Sequence, residues 1–405
     1  MQTSSPIKRP GRRLWRPRLS LRGLLVLVAL ISVTLFGVAS VRRAYEKDRA
    51  ARETLKNELG FRFEMGPSLP DWVCDLVPVR NWHWFERATI ATADRGHNGN
   101  LCPTFSRIAD CKHLRGLWLE RVDLDKDAMQ VVGELQELRW LKLDSATIDR
   151  GSLGILSTLP NLGGVSMLDW LPDAVAIESL VKIKGLEYFE LSQIETGADE
   201  LRRLDVSRMQ LLTLVGSGLH DEVIDHVKGA SELRLLELRR APLTDRIFAS
   251  LASCRKLDTL ILSDTEVTGV GIDALTACPL VELSMERSRL DDTGAECVGK
   301  LKSLKSLDVS ETKITAAGLA RLVTLPKLKR LVANNLVLDA DAVGTFDFSN
   351  SLEVIYFNAT DLDDRAIDAL LRIKSLYKLS LRDCPISNAG KARLRAAIGD
   401  VDVSP

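Results

Sequence analysis

A six-residue pattern of apolar positions, L-x-x-L-x-L, recurs along most of the chain. It begins twelve times in register, at Leu114, Leu138, Leu162, Leu186, Met209, Leu233, Leu257, Leu280, Leu304, Leu328, Leu352 and Leu376. Successive units start 23 or 24 residues apart. A period between about 20 and 29 residues, kept over so many units, predicts a stack of short repeated elements.

The unit from residue 304 to 327 shows which elements each repeat predicts. Leu307 and Val309 alternate with polar residues, as in a strand with one buried face. Gly318 then opens a short helical stretch with inward apolar positions, and Pro326 ends it. One unit cannot bury its apolar side alone. We therefore expect the units to stack into a curved solenoid with a parallel sheet on its concave face.

The repeats resemble the leucine-rich repeat family over residues 114 to 399. Several units are similar to a short bacterial subtype in which Thr, Ser or Cys replaces the usual Asn, and the matching positions are Thr265, Thr312, Thr360 and Cys384. The resemblance implies an α/β leucine-rich repeat solenoid, a horseshoe with short helices on its convex side. Repeats are expected over residues 114–387.

Both ends of such a solenoid need a capping unit that hides the open core. Residues 61–113 are the predicted N-terminal cap. Within them Phe85, Ala88 and Ile90 repeat the three-position pattern ahead of the first full unit, with five extra residues in between. Residues 388–405, which include a polar last helix, are the predicted C-terminal cap.

The N-terminal residues show a different pattern, a basic tail followed by an uncharged run. Residues 1–22 contain seven Lys and Arg and no acid, and the 19 residues from Gly23 to Val41 carry no charge. As a helix this run spans about 28 Å, close to the ~30 Å hydrocarbon core of a bilayer. We therefore predict a transmembrane helix that acts as an uncleaved signal anchor. A cleaved signal peptide is the alternative, because Gly37-Val38-Ala39 offers the small residues that a signal peptidase accepts.

The distribution of charge along the chain adds information about membrane topology. The 405 residues include 55 basic and 55 acidic side chains, a balance that argues against a general nucleic-acid binder. Residues 1–60, however, hold 13 basic and 4 acidic residues. This bias places the N-terminus in the cytoplasm and the repeats outside it, in the periplasm, and the reverse orientation is the runner-up. Residues 42–60 predict a helical stalk in which Asp48 and Arg52, and Arg49 and Glu53, are spaced to pair.

The sequence offers no recognisable catalytic or metal-binding constellation. It contains no G-x-S-x-G, H-E-x-x-H, C-x-x-C or phosphate-binding P-loop motif. His220 and His226 border acidic residues but fall on a predicted convex turn and helix, and the calcium-loop-like stretch 123–134 lacks the required Gly. A disulfide between Cys74 and Cys102 requires an oxidising compartment, so its formation depends on which side of the membrane holds the N-terminal cap. We expect no catalysis, no cofactor and no bound metal.

The concave face contains the strongest candidate site. In each unit the third, fifth and seventh positions point away from the core. In the first seven units these positions include the residues that we predict to bind a ligand: Trp118, Trp140, Lys142, Tyr188, Glu190, Leu211, Val215, Glu237, Arg239 and Ile261. A folded monomer has no structural need for exposed tryptophans, and Trp, Tyr and Arg are common interface anchors. The alternative is that these side chains lie flat over neighbouring strands and only cover the sheet.

These features favour a membrane-anchored protein-binding scaffold or receptor-like protein that presents its concave face to a protein or peptide ligand. The layout is similar to that of bacterial single-pass leucine-rich repeat proteins. One alternative is a structural protein that organises the cell envelope by self-association. Another is a substrate-recognition subunit similar to the repeat receptors of ubiquitin ligases. Some units resemble the repeats of those receptors through a Cys-Pro ending, as at Cys278-Pro279. Those receptors carry an adaptor-binding helical module where this chain has its basic tail and predicted membrane helix.

Overall fold

A computed structural model describes residues 21–67, 86–94 and 103–404 of the chain. In this part, one sheet contains fifteen strands, ordered β1, β2, β3, β5 and then β7 to β17. Their bounds are β1 Arg62–Pro67, β2 Glu86–Asp94, β3 Gly116–Glu120, β5 Trp140–Asp144, β7 Gly164–Leu168, β8 Tyr188–Leu191, β9 Leu211–Val215, β10 Leu235–Arg239, β11 Thr259–Ile261, β12 Glu282–Ser284, β13 Ser306–Asp308, β14 Arg330–Val332, β15 Val354–Tyr356, β16 Lys378–Ser380 and β17 Asp400–Asp402. The short strands β4 Asp123–Leu124 and β6 Thr147–Ile148 pair with each other outside this sheet.

Helices precede the sheet and line its convex side. They are α1 Leu21–Leu59, α2 Lys126–Gly133, α3 Ala174–Leu180, α4 Asp221–Ile224, α5 Ile247–Leu251, α6 Asp292–Val298, α7 Ala316–Leu322, α8 Ala340–Gly344, α9 Ile367–Leu371 and α10 Asn388–Ala397. Further turns are 3₁₀ helices, at Pro103–Asp110, Arg150–Thr158, Ala198–Arg203, Asp225–Gly229, Ile272–Ala277 and Asp364–Ala366. Several helices begin after an Asp that caps them. The Asp125 carboxylate, for example, accepts the Ala128 amide at 2.8 Å and so satisfies a free donor of α2.

Each of the twelve predicted repeats contributes one strand, which starts at the third position of its unit. Trp140 in β5 pairs in register with Gly116 in β3 and with Gly164 in β7, and all these strands are parallel. The fourth and sixth positions, such as Leu307 and Val309, are fully buried. The predicted leucine-rich repeat solenoid with a parallel concave sheet is therefore confirmed.

The C-terminal half of α1 packs on the first end of the solenoid. Ala51 and Leu55 lie one helical turn apart and are buried with Phe61 and Phe105. The structure therefore differs from the predicted division, in which residues 42–60 form a stalk apart from the cap. The last turns of α1 belong to the cap because they cover apolar core that would otherwise face water.

The two charge pairs predicted within this part of α1 are confirmed. The Arg52 Nε donates to the Asp48 carboxylate at 2.9 Å, and Arg49 and Glu53 are joined at the same distance. Only the first pair is shielded from solvent, since Asp48 is buried. It lies on the side of α1 that faces the cap.

The register of the N-terminal cap differs from the prediction. Ala91 and Ala93 of β2 pair with Leu117 and Leu119 of the first full unit, so the buried pattern is Ala88, Ala91 and Ala93. The predicted triplet was Phe85, Ala88 and Ile90. Of these, Phe85 lies outside the described residues, and Ile90 takes the third, outward-facing position instead of the sixth. These alanines belong to the same buried cluster as Phe61 and Phe105, whose ring centroids lie 6.3 Å apart.

The last repeat is followed by the helix α10 and by one more strand. Strand β17 pairs in parallel with β16, with Asp400 opposite Lys378. Leu394, Ile398 and Val403 are buried beneath these elements. The sequence indicated the polar helix of this cap but not the added strand.

In the described part of the chain, no helix combines the length and the apolar side chains needed to cross a membrane. Most side chains of the segment from Gly23 to Val41 lie outside the described residues, although the backbone of α1 runs through it. Residues 1–20, Cys74 and Cys102 also lie outside them. The membrane segment and the disulfide therefore stay predictions from sequence.

Candidate binding face

The candidate residues lie in rows that cross the concave sheet, because parallel pairing places equal positions of successive units side by side. The third-position row contains Trp140, Gly164, Tyr188, Leu211 and Leu235, and the fifth-position row contains Trp118, Lys142, Ser166, Glu190, Thr213, Glu237 and Ile261. An apolar row thus runs beside a polar row over the N-terminal half of the solenoid.

The ring of Trp140 lies across the neighbouring strand β7. A Cβ atom at Gly164 would come within 2.1 Å of Trp140 Cε3, so only glycine leaves room for the ring in this position. The rings of Trp140 and Tyr188 also meet, at 4.6 Å between ring centroids and 70° between planes. Such an edge-to-face pair is a favourable aromatic contact. Trp140 therefore partly covers the sheet, and yet 40% of its surface remains exposed.

A cavity of about 340 Å³ opens beside this aromatic pair on the concave face. Seven of the ten predicted site residues line it: Trp118, Trp140, Lys142, Tyr188, Glu190, Leu211 and Glu237. Three predicted residues are not part of its lining: Val215 and Arg239, which end the strands β9 and β10, and Ile261, which lies on the next strand, β11. The lining also includes Gly164, Ser166, Thr213 and Leu235, which the prediction did not select. Gly164 could have been recognised as the one small third-position residue between two aromatic ones.

The acidic side chains of this cavity are engaged within the protein. Glu190 accepts a hydrogen bond from the Ser166 hydroxyl at 2.6 Å. Glu237 forms an ion pair with Arg239 at 2.6 Å, and the Thr213 hydroxyl donates to it at 3.4 Å. These contacts hold both carboxylates on the sheet surface beside the apolar row.

A second cavity, of about 400 Å³, adjoins the first at the N-terminal end of the face. Trp118 and Lys142 line both cavities, and the cap contributes Arg62 and Thr92 to the second one. The cap residues could not be recognised from sequence because the alanines of β2 do not reveal its register. The candidate binding face therefore extends from β1 to β10.

The residues considered for metal binding have structural partners instead. Among the described residues, no group of three or more His, Cys, Asp and Glu side chains could hold a metal ion. His220 contacts Glu222 at 3.0 Å on the convex side, apart from His226. In the stretch 123–134, Asp125 caps α2, and Leu124 and Met129 are buried, which is incompatible with a calcium loop.

The cysteines at the end of their units behave as small apolar core residues. Cys111, Cys254 and Cys278 are buried and have free thiols. Burial raises the pKa of the Cys111 thiol to about 12 and that of Cys254 to about 11. These thiols remain protonated at neutral pH and are therefore poor nucleophiles.

We expect His226 to make the stability of the protein depend on pH. Its Nδ1 lies 2.7 Å from the Val223 carbonyl oxygen, its Nε2 is buried without a partner among the described residues, and burial lowers its pKa. Because the folded-state pKa lies below the unfolded value, the contribution of this group is present above about pH 6.5 and is lost as pH falls. Thermal unfolding measured between pH 7 and pH 5 should show a steeper fall for wild type than for His226→Leu. Parallel curves would contradict this assignment.

Comparison with known proteins supports the repeat architecture. A family model described as Leucine Rich repeat matches residues 300–323, which overlap the ninth predicted unit. No curated protein matches the chain. Among solved structures, a chain of the yeast Rad7 and Elc1 complex is 15% identical, with 85% of this chain and 94% of that chain covered and a TM-score of 0.50. This similarity reflects a shared fold.

Two bacterial structures are also similar at the level of the chain trace. An internalin from Listeria monocytogenes is 16% identical, covering 78% of this chain and 87% of its own, with a TM-score of 0.47. A leucine-rich repeat protein from Leptospira interrogans is 19% identical, covering 76% and 82%, with a TM-score of 0.48. The matched repeat lies within the twelve-unit register and the parallel solenoid, so the chain has the fold of leucine-rich repeat proteins and is similar to them in its repeats.

Proposed function

We propose that the protein is a membrane-anchored scaffold that holds a protein or peptide ligand on its concave face, without catalysis. The proposal rests on the aromatic cavity of that face. Trp118, Trp140 and Tyr188 line it and are 41%, 40% and 36% exposed. Large aromatic side chains that remain exposed beside a cavity are the usual anchors of protein interfaces.

The cavity is suited to a ligand because its walls are already in place. The contact with Tyr188 and the space over Gly164 hold the Trp140 ring, and Ser166 holds Glu190. Side chains that are fixed before binding lose little conformational entropy when a ligand arrives. A volume of about 340 Å³ also lies within the ~300 to 1,000 Å³ range that is common for ligand pockets.

The fold is consistent with this role. Solenoids of this kind form extended concave surfaces that are used for binding. The yeast chain with the similar fold was solved in a complex of two proteins, Rad7 and Elc1. This supports a scaffold that binds another protein, and the concave cavity is where we place the contact here.

The membrane anchor and the orientation belong to the same proposal. They rest on the uncharged run from Gly23 to Val41 and on the basic tail before it. Helix α1 continues without a break from Leu21 to Leu59, so in this proposal one helix joins the anchor to the cap. Protease added to intact spheroplasts should degrade the repeats and leave a cytoplasmic marker intact. Protection of the repeats would place them on the cytoplasmic side.

Removal of the three aromatic side chains should abolish ligand recovery. In a variant with Trp118→Ala, Trp140→Ala and Tyr188→Ala, we expect recovery of the ligand by affinity purification to fall at least about tenfold. A single anchor is often worth about 2 kcal/mol or more, and ~1.4 kcal/mol corresponds to a factor of ten in affinity. Quantitative mass spectrometry of the co-purified proteins measures this change.

A matched control removes three exposed apolar side chains outside the candidate binding face. Leu171, Val270 and Tyr377 are 46%, 45% and 55% exposed, and none of them occupies a third, fifth or seventh position. Their replacement by Ala should leave recovery unchanged. Equal recovery by both triple variants and wild type would remove the face as the binding site. Assembly of the protein with itself in place of any ligand would favour the envelope-organising alternative.

A further inference from the structure

The two cavities of the candidate binding face meet at one pair of side chains. Trp118 and Lys142 line both of them, with the aromatic pair Trp140 and Tyr188 on one side and Arg62 on the other. A ligand seated in the aromatic cavity therefore reaches the second cavity next to Lys142.

The charges around this junction are unequally satisfied. The four acidic side chains are all engaged: Glu120 with Arg121 at 2.6 Å, Asp144 with the Ser145 hydroxyl at 3.0 Å, Glu190 with Ser166 at 2.6 Å and Glu237 with Arg239 at 2.6 Å. Lys142 and Arg62 are exposed and have neither an ion pair nor a side-chain hydrogen bond to any residue that the structure describes. Asp144 and Glu190 keep their negative charge beside these hydroxyls, but the two charged side chains at the junction without any polar partner among the described residues, Lys142 and Arg62, are both positive.

From this arrangement we infer that the ligand is an extended protein segment in which a large apolar or aromatic side chain is followed closely by an Asp or Glu. The apolar side chain enters the cavity beside Trp140 and Tyr188, and the carboxylate reaches Lys142 and Arg62. This inference rests on the proposed function and adds the chemistry of the ligand to it.

The spacing of the face agrees with such a segment. Trp140 and Lys142 are two residues apart on β5, so their side chains leave the sheet about 6.8 Å from each other. Two residues of an extended peptide cover the same distance. An acid two positions from the buried apolar residue therefore falls at the level of Lys142. Charge complementarity of this kind determines which partner is accepted more than how tightly it is held.

Selection from a random peptide library tests the inference. Full-length protein in detergent is used to select from twelve-residue peptides displayed on phage. We expect the enriched peptides to carry a large apolar residue with an acid within two positions. Selected peptides are then synthesised with the acid and with its amide, Asn or Gln. The amide form should bind wild type about fivefold or more weakly, and the two forms should bind equally to a variant with Lys142→Gln and Arg62→Gln.

The control is Lys313→Gln, an exposed lysine on the convex side, which should keep the full preference for the acid. Peptides that require Trp140 and Tyr188 but bind equally as acid and amide would overturn the inference and leave the proposed function standing. Peptides that bind a Trp140→Ala, Tyr188→Ala variant as well as wild type would overturn both. A selection that enriches nothing over uncoated support would also count against both.

Discussion

A chain that begins at residue 61 is expected to lose cooperative unfolding and to aggregate. The deletion removes Ala51, Leu55 and Leu59, which cover the first end of the core, and leaves Phe61 and Phe105 open to water. An uncapped solenoid exposes a continuous apolar surface, which drives association. Size-exclusion chromatography and thermal unfolding of the shortened protein would measure the loss. A chain that begins at residue 42 retains the buried turns of α1 and should unfold cooperatively.

Single substitutions in α1 separate this role from a general effect of truncation. Leu55→Ala removes a fully buried side chain and should lower the free energy of unfolding by about 2 to 5 kcal/mol. Glu53→Ala removes an exposed partner of Arg49 and should change it by no more than about 0.5 kcal/mol. If both variants are as stable as wild type and the chain from residue 61 folds alone, α1 is a separate stalk after all.

Gly294→Ala should be the most damaging small substitution within the repeats. An added Cβ would lie 1.8 Å from the Thr268 carbonyl oxygen of the preceding unit, a backbone atom that cannot move without separating the two units. We expect a loss of at least about 2 kcal/mol in the free energy of unfolding, in the range of severe overpacking. Denaturant unfolding followed by circular dichroism measures it.

The matched control for that substitution is Gly344→Ala. Gly344 is also a glycine within a convex helix, as the last residue of α8, but nothing lies within 4 Å of its added Cβ. The higher helix propensity of alanine should leave the stability unchanged or slightly increased. Equal stabilities of the two alanine variants would show that units seven and eight are not packed as closely as the structure indicates.

The repeats could be predicted from sequence because the period itself encodes the packing. A strand with Leu307 and Val309 on one face allows only one register, since a shift by one residue would bury Asp308. The same register, repeated twelve times, placed every third, fifth and seventh position on the concave face in advance. Most of the candidate cavity followed from that placement.

The caps could be predicted only in part, because their apolar signals are weak. In β2 the buried positions are alanines, which do not stand out from the surrounding sequence, and the larger Phe85 and Ile90 suggested the wrong register. In α1 the buried face consists of Ala51, Leu55 and Leu59 within a highly charged stretch. Their four-residue spacing was a signal of one apolar helix face, but charge pairs on the same helix favoured a solvated stalk.

The details of the binding face depend on contacts that no pattern encodes. The sequence showed that Trp140 and Tyr188 point the same way, and it left open whether they lie flat. In the structure, the Trp140 ring lies over Gly164, and yet part of its surface remains exposed. The contribution of Arg62 could not be foreseen because it depends on β1, which pairs antiparallel to the rest of the sheet.

Site-specific photo-crosslinking would show whether the concave face holds a ligand. A photoreactive phenylalanine analogue replaces Tyr188 on the candidate binding face or, as the control, Tyr377, an exposed tyrosine outside it. After irradiation of intact cells, we expect a discrete crosslinked partner from position 188 and none from position 377. The Trp118→Ala and Trp140→Ala substitutions should remove the crosslink. No crosslink from position 188, or the same products from both positions, would contradict a ligand held on the concave face.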